Sequence, residues 1–266
     1  GMYCQYFSEA EYPSTSRYSI PQLSFGGNYS GTLLNLKTII DKSANPNEVA
    51  VARILSQYTY WNMTDLWGDI PYSQAMKGAS VIPAYDKQED IYFSIIKECK
   101  EAVAGFDNGA PIKGDILYGG STAKWTKFAN SLRMLMATRL TNKYPAAGGK
   151  AAVEFADAAA GPHIDNNADN AVIQYPGGGY QNPWYLVYQT RDDYASSKTL
   201  GDILGGLSDS RSTVFGTPGP TFPYGLTRDL AIAYGNSVGN AQSRVLPTSF
   251  RQPNSPVTVI GASIVL

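Results

Sequence analysis

The chain has 266 residues, long enough to bury a sizeable core, with 21 basic and 22 acidic side chains and a net charge of −1. Charged residues make up only 16% of it, so there is no basic field to hold nucleic acid or anionic lipid and no acidic tail. No apolar run reaches the length of a membrane-spanning helix, and no signal peptide is visible. Residues 1–30, rich in Tyr, Ser and Gly without a sustained period, read as an extended loop lying over the body. Gly1 before Met2 reads as an expression scar. Cys4 has no apolar stretch ahead of it and reads as an ordinary cysteine near a fraying end.

Helical period begins at about Thr32. Leu33, Leu36, Ile39 and Ile40 share one side of Thr32–Lys42, Asn45-Pro46-Asn47 punctuates, and a second helix follows over Glu48–Trp67. In that second helix Val51, Ile54, Leu55, Tyr58 and Trp61 fall at helical spacing, Gly68 suits its C-terminus, and Pro71 stops it from resuming. Asp86 and Glu89 make a capping-box-like start for a helix running to about Phe106. Its apolar stripe of Ile91, Ile95, Cys99, Ala102 and Phe106 makes Cys99 a core residue, and two cysteines define no disulfide framework. Ser121 or Thr122 caps the next helix, to about Tyr144, whose stripe is Trp125, Phe128, Leu132 and Leu135. A small-residue helix spans about Gly149–Ala160 and stops at Gly161-Pro162. The starts recur at roughly 35 to 40 residues, the range of tetratricopeptide-like helix pairs.

Two long irregular regions, about Asp165–Ser196 and Phe215–Pro256, are dense in Gly, Pro, Asn and Tyr, and loops of that length in a compact domain are usually functional or disordered. The chain ends on VTVIGASIVL, apolar and without a cap. It reads as the start of a helix whose partners are missing; a short terminal strand packing internally is the other reading.

Three stretches carry a family resemblance. YTYWNMTDLWGDIPYSQA (Tyr58–Ala75) is an aromatic helix with a Gly-Asp-Ile-Pro exit, and STAKWTKFANSLRMLMATRL (Ser121–Leu140) a Trp-led helix some fifty residues later. SSKTLGDILGGLSDSR (Ser196–Arg211) is similar to a serine-led helix closing on an Asp-Pro-Arg turn, with Ser210 in place of the proline. In this order the chain resembles the SusD/RagB-like outer-membrane lipoproteins that capture nutrients, mostly glycans. The resemblance implies an all-α, tetratricopeptide-like stack of helical hairpins with long irregular loops. It also implies a surface-exposed outer-membrane location through an N-terminal lipid anchor lying further upstream, and a SusC-like TonB-dependent transporter as partner. Relatives of this type continue for many more residues, so residues 1–266 are expected to be a single helical domain cut short at its C-terminus. The implied role is non-catalytic binding and handing over of oligosaccharide, with no cofactor.

The residues themselves offer one cluster suited to that chemistry. Tyrosine outnumbers the other aromatics, 19 against 9 Phe and 4 Trp, and it combines an apolar face with a polar rim. In YPGGGYQNPWYLVYQTRDDY (Tyr175–Tyr194), glycines present Tyr180, Trp184, Tyr185 and Tyr188 among Gln181, Asn182, Gln189 and Arg191. Aromatic faces stack on sugar C–H surfaces while amides and guanidinium bond hydroxyls; the ligand-binding set expected is Tyr180, Gln181, Asn182, Trp184, Tyr185, Tyr188 and Arg191. The competing reading is that these aromatics anchor a long loop to the helices. Tyr3, Tyr6, Phe7, Tyr12 and Tyr18 form a second candidate surface, whereas Tyr58, Trp61, Trp67 and Tyr72 read as structure. His163, the lone histidine, has no oriented partner nearby in sequence and reads as a turn residue. Asp192 and Asp193 read as a loop with a local pair to Arg191, since adjacent carboxylates rarely converge across a glycosidic bond as a hydrolase needs, and Gly177-Gly178-Gly179 precedes Tyr180 and Pro183 instead of a helix start with the lysine of a phosphate site. A carbohydrate-active hydrolase and a helical-repeat protein-interaction scaffold stay open as alternatives.

Overall fold

The computed structural model describes residues 5–9, 24–78, 82–187, 194–210, 216–218, 245–247 and 257–261. In chain order the elements are β1 (Phe7–Glu9), α1 (Gly26–Asn28), a π-helical stretch Tyr29–Leu33, α2 (Leu34–Lys42), α3 (Pro46–Trp67), α4 (Gln88–Ala104), α5 (Thr122–Arg139) and α6 (Lys150–Ala160). After these come β2 (Ala171–Ile173), α7 (Pro183–Val187), β3 (Tyr194–Ser196), α8 (Lys198–Gly206), β4 (Gly216–Pro218), β5 (Val245–Pro247) and β6 (Val257–Ile260). The all-α reading holds. Strands among the described residues are three or four residues long and pair only in twos, β1 with β3, β2 with β6 and β4 with β5.

Two compact units result, one of Ser24–Ile173 with Thr258–Leu266, the other of Gly1–Leu23 with Gln174–Val257. In the helical unit, α2 packs on α3, α3 on α4, α4 on α5 and α5 on α6, and the short connection between α2 and α3 makes that pair antiparallel. One core runs through them, with Ile54, Ile91, Ile95, Cys99, Phe128 and Leu132 fully buried and Trp125 at 1% exposure. Arg133, buried on α5, reaches Asp157 and Glu154 of α6, while Arg53 ties α3 to Glu98 and Glu101 of α4.

Several boundaries differ from the sequence reading, each for a local reason. Helical backbone starts at Gly26, inside the stretch read as loop, and enters α2 through a π-helical turn. Of the expected Thr32–Lys42 stripe, Leu33 and Leu36 are buried, but Ile39 stays exposed. Helix α3 begins at Pro46, because the Asn45 side chain accepts the Asn47 N–H and leaves proline in the first turn, where its missing donor costs nothing. Ser121 caps α5 as expected, accepting the Lys124 N–H, but α5 ends at Arg139.

The expected capping box at Asp86 and Glu89 does not form. Helix α4 starts at Gln88, and its N–H is accepted instead by Asp69 Oδ1 at 2.9 Å. This explains the Gly-Asp-Ile-Pro exit of α3. Gly68, at φ 73° and ψ −123°, takes a backbone conformation that side chains resist; Asp69 then caps the next helix and Ile70 is buried completely. The Gln88 amide donates back to the Thr64 carbonyl at 2.7 Å. Asp86, released from capping, bridges to Ile70 through its backbone and accepts the N–H groups of Tyr72 and Ser73 on Oδ2, both at 2.8 Å.

The C-terminal stretch is corrected as well. Val257–Ile260 is a strand, β6, paired with β2, and Ile260 sits in the helical unit's core at 1% exposure. Backbone bonds to Ala171–Ile173 satisfy the groups that a helix would have closed internally.

Candidate functional site

The expected ligand-binding stretch lies in the other unit, and glycine sets its geometry. Gly177 and Tyr180 exchange two backbone hydrogen bonds, Gly177 N–H to Tyr180 O at 3.2 Å and Tyr180 N–H to Gly177 O at 3.1 Å. The chain reverses within the two residues between them, and Gly178 sits at φ 59°, where an L side chain is strained. Tyr180 leaves this tight turn 78% exposed.

The next residues turn the chain into α7. Asn182 is buried, and its Oδ1 accepts the N–H groups of Trp184 at 2.8 Å and Tyr185 at 3.4 Å. With Pro183 in the first helical position this is an N-cap, so the sequence Q-N-P-W-Y encodes a helix start inside what reads as loop. Gln181, Trp184 and Tyr185 are half-buried and Leu186 is exposed. Consecutive residues on a helix point about 100° apart, so Trp184 and Tyr185 serve different directions.

The structure therefore gathers Tyr180, Gln181, Asn182, Trp184 and Tyr185 into one turn-and-helix element. Within it the exposed surface comes from Tyr180, Pro183, Leu186 and the flanks of Trp184 and Tyr185, while the Asn182 oxygen holds the backbone in shape. Tyr188 and Arg191 lie outside the described residues, as do Gln189, Asp192 and Asp193. On the second candidate surface, Tyr6 is 53% exposed, and its carbonyl accepts the Ser197 N–H at 3.0 Å. Gln5 Oε1 accepts the Thr199 hydroxyl at 3.0 Å, fastening β1 to the start of α8, which Ser197 caps. Tyr3, Cys4, Tyr12 and Tyr18 lie outside the described residues. Tyr58, Trp61, Trp67 and Tyr72 pack against the helical core, as read from the sequence.

Several ionisable groups among the described residues hold the fold together. The carboxyl of Asp157 is held below its usual range by Arg133 and then Lys100, and that of Asp169 by Lys127. At Asp86 partial burial opposes ionisation, but the Ser73 hydroxyl and the N–H groups of Ser73 and Tyr72 outweigh it and pull the group down. Burial pushes the Cys99 thiol up to about 12, fitting an inert core side chain. His163 Nδ1 lies 3.0 Å from the Gly161 carbonyl oxygen, within its own turn. Among the described residues no cluster of three His, Cys, Asp or Glu side chains could hold a metal, and no helix is long and apolar enough to cross a membrane.

Stacked helical hairpins make one unit a helical-repeat-like scaffold, and the other unit carries the exposed aromatic turn. The chain belongs to the SusD-like family described as starch-binding and associating with the outer membrane, whose model matches residues 1–265. Among solved structures, the chain is similar to a chitin-binding protein at 25% identity and a TM-score of 0.81, covering 100% of this chain and 62% of that one. A SusD homologue from Bacteroides fragilis NCTC 9343 matches at 24% identity and a TM-score of 0.81, over 99% of this chain and 61% of that one. A chitin-binding SusD homologue from Flavobacterium johnsoniae matches at 24% identity and a TM-score of 0.80, over 97% and 56%. These last two likenesses carry the fold. The chain thus spans about three fifths of the length of the solved structures it resembles. No curated protein matches it.

Proposed function

We propose that this chain binds oligosaccharide without transforming it, at the outer-membrane surface as an anchored lipoprotein, and delivers it to a SusC-like TonB-dependent transporter. The observation that carries the binding step is Tyr180, 78% exposed on a glycine turn and followed directly by the aromatic residues of α7. A rigid turn presents the ring at little entropic cost, which favours stacking on a sugar face. The family description as starch-binding and the chitin-binding names of two relatives support a glycan as the ligand class. A binding role without a covalent step is supported by the family's description as starch-binding. The transporter and the lipid anchor are part of this proposal, and the family's association with the outer membrane supports them.

Calorimetry with maltoheptaose and chitohexaose tests the reading. Trp184→Ala is expected to weaken the sugar that binds by about tenfold, the loss of roughly one aromatic stacking contact, with an unchanged circular dichroism spectrum. Equal affinity of variant and wild type would move the site away from α7, and release of reducing ends during incubation would make the protein a hydrolase.

A further inference from the structure

The helical unit carries a polar cleft of about 440 Å3 where the exit of α3, the start of α4 and the end of α5 meet. Asp69, Lys87, Gln88, Glu89, Arg139 and Lys143 line it. Most of these groups are already held by one bond each. Asp69 spends Oδ1 on the Gln88 N–H, keeping Oδ2 over, and Gln88 spends its amide nitrogen on the Thr64 carbonyl, keeping Oε1 over. Arg139 donates through Nη1 to Asp65, which also accepts the Tyr92 hydroxyl, and its guanidinium lies 5.5 Å from the Trp61 ring centroid. Lys143 pairs with Glu89. Side chains fixed in this way lose little freedom when a ligand arrives.

The charges of the cleft cancel. Lys87, Arg139 and Lys143 stand against Asp69, Glu89 and the Asp65 behind Arg139, so no net field selects an ion. What remains is a mixed set of spare acceptors on Asp69 and Gln88 and spare donors on Arg139, Lys87 and Lys143, whose ammonium has three N–H groups and one partner. A simple anion or cation satisfies only half of that set. A sugar hydroxyl donates and accepts at once, and neighbouring hydroxyls on a ring satisfy both halves together. The volume falls within the range of small-molecule sites, about 300 to 1,000 Å3.

We propose that this cleft is a hydroxyl-binding subsite for an oligosaccharide, in addition to the aromatic element around Tyr180. The proposal rests on the glycan-binding reading above, and the two are separated by a residue-resolved titration. Maltoheptaose and chitohexaose are titrated into the isotopically labelled protein, following backbone amide shifts. Shifts at Gln88, Glu89, Leu140 and Lys143 are expected alongside those at Tyr180–Tyr185. In Asp69→Asn combined with Lys143→Met, the cleft shifts should need about tenfold more sugar, the worth of one or two hydrogen bonds to charged groups, while the Tyr180 shifts titrate as before. Lys143→Met alone, at a side chain 62% exposed, serves if the double variant melts early. Between about 0.05 and about 0.5 M NaCl the cleft affinity should change by less than about twofold, since hydroxyl contacts are little screened.

Sugar-induced shifts confined to Tyr180–Tyr185, or cleft shifts that the substitutions leave unmoved, would overturn the subsite while leaving the glycan reading intact. A steep loss of cleft binding with salt would overturn the ligand class. Absence of shifts anywhere in the wild-type protein would overturn the glycan reading, and this subsite with it.

Discussion

Asp115 accepts four hydrogen bonds from the ten residues that follow it, the N–H groups of Leu117 and Tyr118 on Oδ1 and those of Gly120 and the Trp125 indole on Oδ2. One carboxylate therefore shapes the turn before α5 and also supplies the polar partner that the indole of a buried tryptophan requires. Tyr118 and Phe128 stand edge-on to that indole, each with ring centroids 5.3 Å away. Asp115→Ala is expected to lower stability by at least about 2 kcal/mol, because the buried indole donor loses its acceptor and the turn its organiser. Asp115→Asn, which keeps one oxygen acceptor, should lose less. Urea unfolding followed by tryptophan fluorescence measures both; equal stability of Asp115→Ala and wild type would refute the assignment.

At the scale of the element, the segment between α3 and α4 is latched by Asp86, whose carboxylate takes the Tyr72 and Ser73 N–H groups and the Ser73 hydroxyl. Its folded pKa lies below the unfolded value, so the folded state prefers the charged form. The sign follows from that preference. The stabilising contribution is complete above the unfolded carboxyl value, about pH 4, and is lost as pH falls through the folded pKa. Asp86→Asn should therefore lower the melting temperature at neutral pH and flatten its fall below about pH 4 relative to wild type. Parallel melting curves for the two proteins down to about pH 2.5 would contradict the latch.

Such latches mark the limit of what the sequence discloses. The helices were legible because Ile91, Ile95, Cys99 and Ala102, or Trp125, Phe128 and Leu132, repeat at the helical period and are buried together. Asp69 capping a helix that begins 19 residues later, and Asp86 serving a turn 14 residues earlier, have no local pattern. Near α4 the capping-box spacing of Asp86 and Glu89 pointed to a start one residue early. In the candidate site, the glycines were legible as presenting the aromatics that follow, but the tight Gly177–Tyr180 turn was not, and α7 was hidden by its brevity: five residues are too few to display a period. The polar groups of the α3–α4–α5 cleft left no trace either, because they meet only after folding.

At the scale of the whole molecule, the chain builds most of the helical unit by Ile173, leaves it for Gln174–Val257, and returns with Thr258 onward. The return matters energetically because β6 pairs with β2 and inserts Ile260 into the same core as Ile54, Phe128 and Ile164. Unlike a peripheral strand, β6 brings a side chain 1% exposed, so the core laid down by residues 24–173 is closed by a segment that follows it by more than eighty positions. Contacts so distant in sequence form late, after the loop-closure entropy has been met. Ile260→Ala should cost about 2 to 4 kcal/mol, the usual range for a large aliphatic removed from a packed interior. If β6 joins after the helices have formed, nearly all of that loss will appear as faster unfolding, with the refolding rate almost unchanged. Stopped-flow unfolding and refolding of the variant, followed by tryptophan fluorescence, separate the two arms. A loss carried mainly by slower refolding would place β6 in the folding nucleus, and an unchanged stability would mean that Ile260 is not part of the core.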